Sequence, residues 1–301
     1  MNQGIEQFKR SGVLEINELL DKDKCASIYK KILNDRNWGE QLFRSESEVI
    51  SSPQLTKTNP GKGVFNLAEK FDLSFIENNQ TIRNYLNLIL GKNYYIKLKK
   101  ITIAACDDWI PKWLKDKVSK TPHLNLGPYI KEQYRNVSYF RGIDFHQDLT
   151  DLPDTNVDFI TMYVYLNDID ATMSPLTAIE SSHIYGCTRV PHYLKEDKDD
   201  NYIYYGIDEN NCKRLKKKHL LGKMGSVYIW TGCTLHGATP SKINNDFRIA
   251  LRYTIKKQNS EKSIIDKMTG QFFTGKEGEL RDDIDQETKE YLNLKTKKIL
   301  K

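Results

Sequence analysis

Between Arg135 and Lys256 the chain runs through five strand-like segments, at 135–140, 159–166, 176–180, 226–230 and 247–256, with no helical period between them. Their β-branched and aromatic content favours extended backbone. Clusters of Gly, Pro, Asn and Asp separate them, as turns require. Successive strands of this kind point to antiparallel sheets packed on each other, a β-sandwich or jelly roll. The last segment alternates strictly. Arg248, Ala250, Arg252 and Thr254 share one face, and Ile249, Leu251, Tyr253 and Ile255 share the other. The apolar face is expected under helices. The other would look into the barrel, where an arginine is costly unless an anion meets it.

The flanks read differently. Residues 8–95 are expected to be mainly helical. A Gly break near position 12 leads into a short β-like run, Asp21 or Asp23 caps a helix with Cys25, Ile28 and Ile32 on its apolar face, and a second helix covers 73–90. Residues 94–104 read as a further strand. Residues 105–130 and 190–223 read as lid or insert loops, and 260–301 as a surface helix with a fraying tail. The whole of 1–301 reads as one domain. An aromatic share of 11% gives ample surface to bury and argues against disorder. No stretch approaches the roughly 20 apolar residues that span a bilayer, and the opening MNQGIEQFKRSG lacks the apolar run of a secretory signal. The five Cys are widely spaced with no CxxC pair, which fits reduced thiols and a cytoplasmic location. The net charge of +6 gathers at 213–218 (KRLKKK) and in the final KTKKILK. Without a nucleic-acid motif these read as solvated surface, so no nucleic-acid or membrane partner is expected.

Chemistry concentrates in FHQD at 145–148. His146 and Asp148, two apart in extended chain, point to one face and can converge on an ion. His236 follows the 226–230 strand and is the natural third ligand. Two imidazoles and a carboxylate leave three positions open, which suits non-heme Fe(II). Arg248 lies twelve residues further on and can pair with the far end of a dicarboxylate.

On these residues the sequence resembles the phytanoyl-CoA dioxygenase family of iron- and 2-oxoglutarate-dependent oxygenases. Residues 8–33 resemble its N-terminal segment, HQDL at 146–149 its first metal motif, PLTAIESSHIYG at 175–186 its "GPL…PGSH…G" segment, and 225–248 its "GD…H…R" segment. The resemblance implies a mainly β fold with flanking α, a double-stranded β-helix (jelly roll, cupin-like) with helices packed on one sheet. It implies Fe(II) on His146, Asp148 and His236, with 2-oxoglutarate on the iron and its distal carboxylate on Arg248, and O2 as the second co-substrate. Where the family often has Ser two residues after the distal His, Ala238 stands here, and Thr239 is the nearest substitute. Where it often has Asn on the strand before the first metal motif, Ser138 stands. Asp148 fills the position that related halogenases open with Ala or Gly, so hydroxylation, desaturation or ring closure is expected.

The substrate is expected to be a small, polar molecule. Trp109 and Trp113 stand either as lid aromatics over it or as one apolar helical face. Arg141 is a candidate contact for its carboxylate, and Arg252 either an ion-pair partner or a second anion contact. His183 reads as structural. Two other readings remain open: a silent binding module of the same fold, and an oxygenase acting on nucleic acid or protein through the 213–218 run.

Overall fold

The computed structural model describes residues 2–52, 66–118, 125–148, 158–185, 193–206, 208–240, 247–258 and 262–268. Gly186, Cys187, Leu149 and almost all of the C-terminal tail lie outside these residues. The strands are β1 (Val13–Ile16), β2 (Tyr94–Ala104), β3 (Ser138–Phe140), β4 (Ile143–His146), β5 (Phe159–Tyr165), β6 (Leu176–Ile179), β7 (Tyr193–Glu196), β8 (Tyr202–Gly206), β9 (Cys212–Leu220), β10 (Val227–Thr231), β11 (His236–Ala238) and β12 (Arg248–Lys257). They form a major sheet of order β1-β10-β5-β12-β2-β3 and a minor sheet of order β4-β11-β6-β9-β8-β7. All pairs are antiparallel except β2 with β3. From β3 to β6, and again from β10 to β12, the chain alternates between sheets. That weave is the double-stranded β-helix expected from the sequence.

The two faces of β12 do what their alternation predicts. Ile249, Leu251, Tyr253 and Ile255 join Ile101, Ile103, Met162 and Ile229 in a core shared with the helices α1 (Asn2–Ser11), α2 (Lys22–Asn34) and, further along the chain, Gln80–Leu90. Ala250 faces inward, with Tyr163, Tyr165, Tyr228 and Trp230, toward Leu176, Ala178 and Ala238 of the minor sheet. Helices thus cover one sheet only. Asp21, not Asp23, caps α2, accepting from the Lys24 amide at 3.1 Å. The helix expected over 73–90 is broken, because the Asn79 side chain takes the amides of Thr81 and Ile82 and so restarts it.

Two segments read as loops are more ordered than that. In 105–130 a 3-10 turn at Asp107–Trp109 and a helix at Lys112–Val118 bury Trp109, Ile110 and Leu114 in the helix-side core. The described part of 190–223 is the hairpin series β7–β9 that widens the minor sheet. The 213–218 run sits in β9, its side chains alternating between faces, and much of it is paired: Arg214 with Asp197, Lys217 with Glu196 and Lys218 with Glu15. No helix among the described residues is long and apolar enough to cross a membrane.

The end of α1 is fastened to the strand that carries the second imidazole. Gly12 leaves the helix at φ +78°, and the space a Cβ would need is filled by His183 Nδ1 at 2.5 Å and Thr234 Oγ1 at 2.8 Å. The last carbonyls of the helix find donors across this joint. His183 Nε2 serves Lys9, Ser181 Oγ serves Arg10, and Thr234 Oγ1 serves Gly12. His183 is fully buried, and burial pushes its pKa below the ordinary value.

Candidate metal centre

β4 ends on His146, and β11 begins on His236. Their antiparallel register sets these two residues directly opposite each other, with ring centroids 4.4 Å apart. Both imidazoles are held by the same device. His146 Nδ1 lies 2.8 Å from the Asp144 carbonyl, and His236 Nδ1 lies 2.9 Å from the Thr234 carbonyl. A carbonyl can only accept, so each Nδ1 carries the proton and each Nε2 presents its lone pair. Asp148, two residues past the end of β4, brings Oδ1 to 3.7 Å from His236 Nε2. Ligand atoms of all three residues lie within 4.8 Å of one another. Neighbouring ligands on an octahedral ion with bonds of about 2.1 Å are about 3 Å apart, so small side-chain rotations close this set on a metal. Neutral imidazoles and a carboxylate, with positions left over, are the donor set of non-heme Fe(II).

Asp148 is 2% exposed. Its carboxylate accepts from Thr161 Oγ1 at 2.5 Å, Trp230 Nε1 at 3.0 Å and Arg252 Nη2 at 2.5 Å. Arg252 is therefore an ion-pair partner of Asp148, one of the three candidate ligands. Trp230 is held flat by Tyr163, their rings stacked at 5.0 Å.

Arg248 is 3% exposed, and its Nε and Nη1 have no hydrogen-bond partner. Its Cζ lies 5.9 Å from the Tyr163 ring centroid. Asn167 fixes the backbone around it, donating to the Phe247 carbonyl and accepting the Ile249 amide. A permanently charged guanidinium with two buried, unmet donors fits an arriving carboxylate. The residues present therefore suit both iron and a dicarboxylate.

The other expected site residues divide. Ser138 is buried on β3 beside Thr102, the neighbour of Ala250 on the next strand, and so shares the inward face. Thr239 is exposed, just past the end of β11, while Ala238 points inward. Arg141 is gripped at both ends of its fork by Asp107, at 2.5 and 3.0 Å. Trp109 packs with Trp38 and Phe247, ring centroids 5.3 and 4.6 Å away, on the helix side of the major sheet. Trp113, beyond Pro111 on a separate helix, meets Tyr129 edge-on at 6.2 Å. The two tryptophans do not form one helical face, and Trp109 belongs to the core. Sequence reasoning missed Thr161, Trp230 and Asn167, which act through bonds to distant strands.

The model of the phytanoyl-CoA dioxygenase family (PhyH) matches residues 8–250. By sequence, no curated protein matches the chain. Among solved structures, the non-heme alpha ketoglutarate dependent carbocyclase SnoK from nogalamycin biosynthesis is similar in fold, with 13% identity, 91% of this chain and 94% of that chain covered, and a TM-score of 0.52. EctD from S. alaskensis in its apoform has 14% identity, 85% and 76% coverage, and a TM-score of 0.50. The match over most of the chain, with the imidazole pair and the carboxylate gathered between the two sheets, shows that this protein belongs to the phytanoyl-CoA dioxygenase family and is a non-heme Fe(II)- and 2-oxoglutarate-dependent dioxygenase.

Proposed function

We propose that the protein oxidises an unactivated C–H bond of a small, polar metabolite, by hydroxylation or by a desaturation or ring closure. The observation that carries this reading is the Arg248 guanidinium, with two buried donors unmet among the described residues, on the β12 face that also carries Arg252, the ion-pair partner of Asp148. Bound iron with 2-oxoglutarate and O2 supplies the oxidising power and releases succinate and CO2. The chain supplies placement. His146, Asp148 and His236 would hold the ion and, being three ligands, would leave it room for the co-substrates. Arg248 fixes the distal carboxylate of 2-oxoglutarate. Burial pushes the Tyr163 phenol above its ordinary pKa, so it stays an O–H donor beside Arg248. The inner wall of the major sheet also carries Thr102, Ser138 and Thr254, all buried. These hydroxyls suit a substrate with hydrogen-bonding groups better than a hydrocarbon chain.

The test is succinate release from 2-oxoglutarate with iron(II) and ascorbate, across a panel of small polar substrates. Substrate-stimulated release is expected in the wild type and is abolished in His146→Ala and Asp148→Ala, both still folded by circular dichroism. Wild-type release from either variant would refute the assignment. Absence of release with every substrate, together with no iron bound, would leave a binding module of the same fold.

A further inference from the structure

Asp148 is gripped from the sheet opposite its own. The residue follows β4 of the minor sheet, yet its three donors come from β5, β10 and β12 of the major sheet. Thr161, Trp230 and Arg252 are 0%, 1% and 6% exposed. Thr161 and Trp230 are cross-strand partners, so their donors converge by register. Two of these three donors meet on one oxygen. Oδ2 accepts both Thr161 Oγ1 and Trp230 Nε1. A carboxylate oxygen has two lone-pair directions, and on Oδ2 both are used. Oδ1 takes Arg252 and faces His236 Nε2, the direction from which a shared ion would approach.

We propose that Thr161, Trp230 and Arg252 are positioning residues that restrict Asp148 to coordination through Oδ1 alone. This rests on the metal site described above and adds a reason why it keeps three positions open. Chelation through both oxygens would occupy a fourth position and would strip Oδ2 of two buried donors. With Oδ2 saturated, 2-oxoglutarate can take two positions and one remains for O2. Arg252 fixes the rotation of the carboxylate, so that the oxygen presented to the ion is always the same one.

Mn(II) is the probe. The protein is loaded with Mn(II) and saturated with 2-oxoglutarate, and water-proton relaxation counts the water left on the metal. Calorimetry gives the 2-oxoglutarate affinity. The wild type should keep one fast-exchanging water. Thr161→Val, which preserves shape, and Trp230→Phe should lose much of it and bind 2-oxoglutarate about tenfold more weakly, the scale of one charged hydrogen bond. Thr161→Ser restores the hydroxyl and should restore the water. Arg252→Lys should lie between wild type and Arg252→Gln. Should Trp230→Phe fail to fold, the Val and Ser variants at Thr161 decide alone. An unchanged water count and affinity in Thr161→Val, with Mn(II) bound, overturns the inference. His236→Ala is the separate control: Mn(II) binding as tight as in the wild type would mean that the metal site itself is misassigned.

Discussion

At Arg248 function and stability pull against each other. Its guanidinium is buried with two donors unmet, a burden on the ligand-free protein and an asset once a carboxylate arrives. Arg248→Met fills a similar volume without the charge. It is expected to stabilise the ligand-free protein by about 1–3 kcal/mol, read from urea unfolding. It should weaken 2-oxoglutarate binding by about 10- to 100-fold, the worth of a charge-assisted pair. A variant that is less stable and binds equally well would contradict this role. The gathering of His146, Asp148 and His236 and the burial of Arg248 were legible in the sequence, because HxD spacing and a charged residue on an inward strand face are local signals. The helpers were not. Thr161 and Trp230 reach Asp148 only through strand register, and neither the exposure of Thr239 nor the pairing of Arg141 with Asp107 has a local signal in the sequence.

Elements are joined here by carbonyls as much as by side chains. The end of α1 passes its unmet carbonyls to His183, Ser181 and Thr234, and the Thr234 carbonyl in turn orients His236. The structural reading of His183 finds its physical basis in this joint. His183 is kept neutral in the folded state, its pKa below the ordinary 6.5. The unfolded chain takes up that proton first. Stability from this group is therefore complete above pH 6.5 and declines as pH falls toward the folded-state value. Urea midpoints at pH 7.5 and 5.5 should show a smaller drop in His183→Gln, whose amide can still donate to Lys9, than in the wild type. An equal drop in both would exclude His183 as the source. The break of the 73–90 helix at Asn79 was harder to foresee, since an Asn within a helical run becomes a cap only where packing turns the chain.

The molecule as a whole separates two interiors by one sheet. Between sheet and helices the core is mainly apolar and aromatic; between the sheets an aromatic and aliphatic cluster is joined by the buried charges of Asp148, Arg248 and Arg252. The antiparallel weave and the covered face of β12 followed from period-two alternation. The tryptophans did not, because residues four apart mark a shared face only if one helix spans them, and Pro111 divides Trp109 from Trp113. Trp109→Ala should therefore cost about 3–5 kcal/mol of stability, as a buried aromatic does, measured by denaturant unfolding. Its Km for any substrate should stay within about twofold once the protein is folded, since a residue outside the inner cavity removes no binding contact. A large rise in Km at unchanged stability would return Trp109 to the substrate side. A last consequence belongs to β4, which among the described strands lies at the end of the minor sheet beside β11. An ion shared by His146 and His236 is a rivet through that outermost pair. Iron bound there would add a cross-link of its own to a margin that the backbone pairing already closes, so filling the site and fastening the edge of the minor sheet would be one event.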